Sequence, residues 1–222
     1  MLAVLDHALT HIAPQQALRG WARAAKEFLY FGAKQARACL FAGFFFLAVF
    51  SVPRGGVLGI PRYDLLLVIA LAIQAWMLWA KLETWNEAKA ISLFHAVGFA
   101  PEVFKTSGNI GSWHYPDEAC TKLWGVPLFL GFMYAAVGSY IIQARRLFDL
   151  RIRHHPPYWM ATVAALLIYA NFFTHHYIGN YRWYITALLR GLCPRASVTV
   201  RLFDNDRQMP LSLSFVLIGF FL

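Results

Sequence analysis

The sequence predicts an all-α fold: a polytopic transmembrane helical bundle of about six to seven spans, N-terminus in the cytoplasm. Three observations predict it. First, 59% of the 222 residues are apolar and only 14% are charged, where a soluble domain carries about 25% charged residues. Second, 19 Phe, 10 Tyr and 8 Trp exceed what a single soluble core of this size holds, and lipid is the simplest solvent for them. Third, the apolar residues come in long runs with basic residues between them. They do not show the period-2 alternation of a membrane barrel.

The elements follow in order. Residues 1–37 form a cytoplasmic or interfacial amphipathic segment. In LRGWARAAKEFLY, Leu18, Trp21, Ala22, Ala25, Phe28 and Leu29 share one helical face, and Arg19, Arg23 and Lys26 an adjoining one. That pattern suits a helix lying on anionic headgroups, and equally a solvated lead-in helix. Residues 38–222 form the transmembrane helical domain. Its spans run over 38–52, closed by Pro53, then 65–80, 90–104, 123–144 and 158–174. WYITALL supplies a sixth, and LSLSFVLIGFFL starts a seventh that is incomplete where the chain ends. Several spans fall short of the ~20 residues that cross a bilayer, and snorkelling Lys and Arg with Trp and Tyr anchors cover the difference.

The net charge of +9 would point to nucleic acid in a soluble protein. Here Arg145, Arg146, Arg151 and Arg153 crowd one loop, and the loops assigned to the inside hold most of the Lys and Arg. This is the positive-inside pattern of a multi-pass membrane protein. Membrane lipids are the expected partners, and nucleic acid is not. Cys39, Cys120 and Cys193 form no CxxC pair, so no structural disulfide is expected. Residues 1–37 lack the layout of a cleavable signal peptide.

Ionisable groups inside spans need a reason. His95 and Glu102 are seven residues apart on the third span. That is nearly two turns, so they share a face about 10 Å apart along the axis. Pro101 removes a backbone donor just where the Glu102 carboxyl sits. Together they read as a buried acid and base, or as a Glu102–Lys105 pair with His95 bonded to a neighbouring helix. In KLETWNEAK, Glu83 and Glu87 read as a hydrated turn; two close carboxylates could instead hold a cation or share a proton.

GSWHYPDEACTKLWGVP follows. Trp113, Tyr115 and Trp124 suit a membrane interface, and Gly108, Gly111 and Pro116 a tight turn. His114, Asp117 and Glu118 arriving together mark the rim of a site, with Trp113, His114 and Tyr115 as substrate-binding residues. His114 and Asp117 with His175 or His176 lack metal-ligand spacing, so no metal is assigned and no cofactor is implied.

LETWNEAKAISLFHAVGFAPEVFKTSGNIGSWHYPD, GVPLFLGFMYAAVGSYIIQA, KQARACLFAGFFFLA, IPRYDLLLVIALAIQ and MPLSLSFVLIGFF carry a resemblance. They resemble the bacterial integral-membrane family catalogued as domain of unknown function 817, over roughly residues 25–185 and the last dozen. Members look longer, with a second Glu-then-GxWxYP signature, so the resemblance implies a truncated chain. RGLCPRASVTVRLFDNDRQ departs from the family pattern. More remotely, a Glu at a span end, then G-x-W-x-Y-P, then G-V-P is similar to carotenoid-modifying membrane enzymes, the heterodimeric lycopene cyclases and the carotenoid hydratases. That likeness implies intramembrane acid chemistry, with Glu102 donating a proton to a carbon–carbon double bond and Asp117 removing one, and His95 beside them. The expected function is thus an acid/base enzyme acting on a lipid or isoprenoid. The alternatives are a small-solute transporter and a structural membrane protein.

Overall fold

The computed structural model describes residues 8–10, 20–192, 196–204 and 206–210. The chain divides into two compact units. One comprises Met1–Asp149 with Leu202–Asn205, the other Leu150–Arg201 with Asp206–Leu222.

The first unit is built on helices. α1 (Gly20–Ala38) and α2 (Leu40–Ser51) are separated at Cys39 and bend by 62°. Backbone bonds from Cys39 to Gln35 and from Gly43 to Cys39 carry the ladder across the bend. α3 (Arg62–Trp79) starts after Pro61, whose fixed φ and missing donor suit a helix entrance. α4 (Trp85–Thr106) opens on a capping box, in which Thr84 Oγ1 accepts from the Glu87 amide and Glu87 accepts from the Thr84 amide. It continues through Pro101 to Thr106. β1 (Lys122–Leu123) and β2 (Val126–Pro127) form a hairpin, followed by one 3₁₀ turn (Leu128–Leu130) and α5 (Gly131–Leu147).

α4 and α5 pack tightly because glycines remove the side chains between them. At Gly98 the Tyr134 ring lies against the backbone, at Gly131 the His95 ring, at Gly138 the Phe94 ring. The apolar core joins Phe41 and Phe45 of α2, Leu66 and Ala70 of α3, and Val126, Phe129 and Leu130.

The second unit holds β3 (Arg151–Arg153), α6 (Tyr158–Ile178), α7 (Arg182–Leu192), β4 (Ser197–Arg201) and β5 (Asp206–Pro210). The three strands form one antiparallel sheet in the order β3-β4-β5, with Arg151 opposite Thr199 and Ser197 opposite Pro210.

Two expectations are corrected. The protein is not an all-α bundle of six to seven spans. Among the described residues one helix, α3, is long and apolar enough to cross a membrane, or two if the bent α1–α2 pair counts as one span. Helices do form at the first six predicted places, but charge or length disqualifies most of them. α4 carries Glu87, Lys89, Glu102 and Lys105, and α7 has only 11 residues. The predicted span over 123–144 is interrupted. Trp124 and Gly125 both take positive φ, 52° and 80°, as a two-residue type I′ hairpin requires, so the helix begins only at Gly131. RGLCPRASVTVRLFDNDRQ supplies β4 and β5, because Val198 and Val200 alternate with polar neighbours and are buried. The predicted seventh span lies outside the described residues.

Candidate functional site: a buried carboxyl held by aromatic donors

Glu102 sits in the last two turns of α4 and is only 9% exposed. Three aromatic groups donate to it. The Tyr134 hydroxyl of α5 reaches Oε1 at 2.7 Å, the Tyr115 hydroxyl reaches Oε2 at 2.8 Å, and the Trp113 indole N–H reaches Oε2 at 3.2 Å. Trp113 also donates to the Tyr115 hydroxyl at 3.0 Å. Trp113 is 42% exposed, so this ring of donors runs from the surface to the buried carboxyl.

The local chain explains how. After α4, the amides of Ile110 and Gly111 bond back to Ser107, and that of Ser112 to Lys105. Gly111 takes a φ of 56°, a left-handed conformation that costs glycine nothing. The chain therefore reverses and lays Trp113 and Tyr115 over the end of the helix it has just left. His114, between them, is exposed. Asp64, in the first turn of α3, holds the far end of the loop by accepting from the Cys120 and Thr121 amides at 2.8 Å and from the Thr121 hydroxyl. Lys122 donates to the Tyr115 carbonyl at 2.8 Å.

Burial, and then the Glu102 carboxylate that accepts its hydrogen bond, push the Tyr115 hydroxyl well above the usual tyrosine range. The folded protein thus holds this proton more tightly than the unfolded chain. The associated stability is complete below the ordinary tyrosine value of about 10 and is lost as pH rises through the higher folded-state value. Tyr115→Phe is expected to flatten the alkaline limb of thermal stability above about pH 10. An alkaline loss equal to that of the wild type would contradict this.

The other predicted residues fall as follows. His95 shares the α4 face with Glu102, since both meet α5, His95 at Gly131 and Glu102 at Tyr134. His95 bonds no neighbouring helix among the described residues. Its ring stacks with Phe99 and meets Phe132 edge-on. Asp117 is half-buried beside the Tyr63 hydroxyl and makes no hydrogen bond to Glu102. Glu118 is exposed. His175 bonds the Asn171 and Phe172 carbonyls and lies against His176. Among the described residues no group of three or more His, Cys, Asp or Glu could hold a metal ion.

The sequence reading missed a second buried carboxyl. Glu83, which the sequence places in a hydrated turn, is 3% exposed. It accepts from Ser139, Gln143 and Gln74. The preceding Leu82 carbonyl accepts from Arg37, Gln143 and Arg146. Gln74 on α3 and Ser139 and Gln143 on α5 were the available signal, three polar residues within otherwise apolar runs. Tyr134, the third donor to Glu102, was likewise hidden in the α5 run.

Fold and site together define a helical protein with two buried carboxyls, one screened by aromatic donors that reach the surface. The chain belongs to the family described as protein of unknown function (DUF817), whose model matches residues 27–222. It is 42% identical over 200 residues to the uncharacterized protein YoaT of Bacillus subtilis (strain 168), an alignment covering 90% of this chain and 75% of that relative. No solved structure matches the chain. The family match runs across RGLCPRASVTVRLFDNDRQ, the segment that reads as a departure from the family pattern.

Proposed function

We propose that the protein is a bacterial inner-membrane enzyme of acid–base type acting on an apolar lipid of isoprenoid kind, with Glu102 as its catalytic group. The observation that carries this reading is the Glu102 assembly itself: a carboxyl removed from bulk water, fixed on both oxygens by Tyr134 and Tyr115, and linked through Trp113 to the surface. A fixed carboxyl in a dry, aromatic setting is suited to proton exchange with carbon.

Support for a lipid setting comes from what the first unit leaves uncovered. The apolar stretch of α3 is only 22% buried, where a soluble core helix is mostly buried. Leu47 and Phe50 of α2, Val68 and Leu71 of α3, and Leu93 and Val97 of α4 are all exposed. So many uncovered large apolar side chains fit lipid contact better than water. On α1, exposed Trp21, Phe28 and Leu29 fit an interfacial helix.

In this mechanism the Glu102 carboxylate takes a proton from a carbon beside a carbon–carbon double bond and returns it to the far carbon of that bond. The double bond moves, with no net gain or loss of protons. Tyr134 and Tyr115 orient the carboxyl, and Trp113 closes it from water. Asp117 keeps Tyr63 rather than serving as the second base. Glu102→Gln is expected to abolish a change in the cellular isoprenoid profile without altering the level of the protein. An unchanged lipid profile in a strain lacking the gene would contradict the reading.

Glu83 favours a second reading, small-solute transport coupled to protons. It gives the α4–α5 pair another buried carboxyl, at the opposite end from Glu102. Proton-dependent uptake lost in both Glu83→Gln and Glu102→Gln would select it.

A further inference from the structure

His95 stands apart from the other polar side chains of α4. It is half-buried, and its ring is fixed on three sides. Phe99 stacks with it at 6.4 Å and 4°, and Phe132 meets it edge-on at 4.7 Å and 72°. The Gly131 backbone is so close that a Cβ there would lie 2.5 Å from Cε1 and 2.6 Å from both nitrogens. Yet among the described residues neither nitrogen has a hydrogen-bond partner. Neither nitrogen is among the buried partnerless atoms, so both stay open to a ligand that reaches the ring across an otherwise apolar face. Leu93, Phe94 and Val97, its neighbours on α4, are exposed and apolar, so a molecule reaching His95 crosses a greasy surface. Glu102 lies seven residues on, about 10 Å along the axis, and turns to the same partner helix.

We propose that His95 binds the oxygen end of the lipid: the ligand is an apolar chain carrying a hydroxyl or carbonyl group, which hydrogen-bonds the imidazole while an unsaturated carbon of the chain lies at Glu102. This rests on the acid–base reading of Glu102 and narrows its substrate class from hydrocarbons to oxygen-bearing isoprenoids. A site built to hydrogen-bond an oxygen rejects the analogue lacking it, because the imidazole is then left unpaired. His95 is a binding and positioning residue here, and Gly131 is what allows its ring to sit against α5.

The test uses the full chain in detergent with two probes, geranylgeraniol and the hydrocarbon squalene, binding being read by competition for the radiolabelled alcohol. The wild type is expected to prefer the alcohol by about tenfold, the worth of one hydrogen bond. His95→Phe, which keeps a flat ring in the slot, should bind both probes alike. His95→Gln, which keeps a donor and an acceptor, should retain the preference. Equal binding of the two probes by the wild type, which needs no variant to fold, overturns the proposal, as does a preference that survives in His95→Phe. Glu102→Gln should keep the preference while losing lipid conversion. If instead it converts lipid normally and the preference still depends on His95, the acid–base reading fails and the assignment of His95 stands.

Discussion

Glu83→Leu is expected to be the most damaging single change in the first unit. The variant removes the acceptor of the Ser139 hydroxyl and of the Gln143 and Gln74 amides, all three facing it from α5 and α3. A polar group left unsatisfied in the interior costs about 1–3 kcal/mol. Ser139 and Gln74 lose their acceptor while the Gln143 amide keeps the Leu82 carbonyl, so the loss totals roughly 2–5 kcal/mol, against a whole-domain stability of about 5–15 kcal/mol. The Gln74 carbonyl oxygen is already buried without a partner among the described residues, so that amide has little room to compensate by turning over. Glu83→Gln keeps the shape and one acceptor oxygen and is expected to lose about 1–2 kcal/mol. The comparison is made by thermal unfolding in detergent. Adding Ser139→Ala and Gln74→Leu to Glu83→Leu should restore much of the loss, since an apolar cluster has no unpaired groups. A Glu83→Leu protein as stable as the wild type would show that the buried carboxyl does not tie α3 to α5.

The second large effect is expected from Gly98→Ala. The added Cβ would lie 2.1 Å from Cγ and 2.3 Å from Cβ of Tyr134, whereas carbon atoms not bonded to each other settle at about 3.5–4.0 Å. The Tyr134 Cβ is fixed to its backbone, so rotation of the side chain gives no relief and α4 must move away from α5. Overpacking of this kind costs about 1–3 kcal/mol, here toward the upper end. The same displacement draws the Tyr134 hydroxyl away from Glu102, so activity is expected to fall further than stability does. Ala at Gly43, where nothing lies within reach of an added Cβ, is the control and should cost little. Unfolding temperature and lipid conversion measured side by side check this. A Gly98→Ala variant with wild-type values of both would mean that the two helices are not in close contact.

Part of this architecture could be read from the chain. Five apolar runs became helices close to their expected places because an apolar run bounded by Pro, Gly or charge leaves few other options. Apolarity alone does not separate a helix that crosses a bilayer from one that lines a core, and α4 shows the difficulty. Its capping box and its Glu102 were both visible in the sequence, and its four charged residues keep it from qualifying as a span. The run over 123–144 concealed a hairpin because Trp124-Gly125 is flanked by apolar residues. The SVTVR strand carried a clear alternation, yet it lay in a stretch read as a departure from the family pattern. At the site, the seven-residue spacing of His95 and Glu102 and the odd-numbered aromatics Trp113 and Tyr115 were legible. The placement of Asp117 and His114 was not, because it depends on which way a loop folds back. Glu83 was illegible for a similar reason. Its burial is decided by Ser139 and Gln143, more than fifty residues later in the chain.

The proposed lipid chemistry stands or falls with Glu102. Its most direct test is mass spectrometry of the organic extract of the purified, detergent-solubilised protein, wild type beside Glu102→Gln. An isoprenoid is expected to accompany the wild type in stoichiometric amount and to be lost or chemically altered in the variant. The same bulk phospholipids in both preparations, with no specific lipid in either, would contradict it.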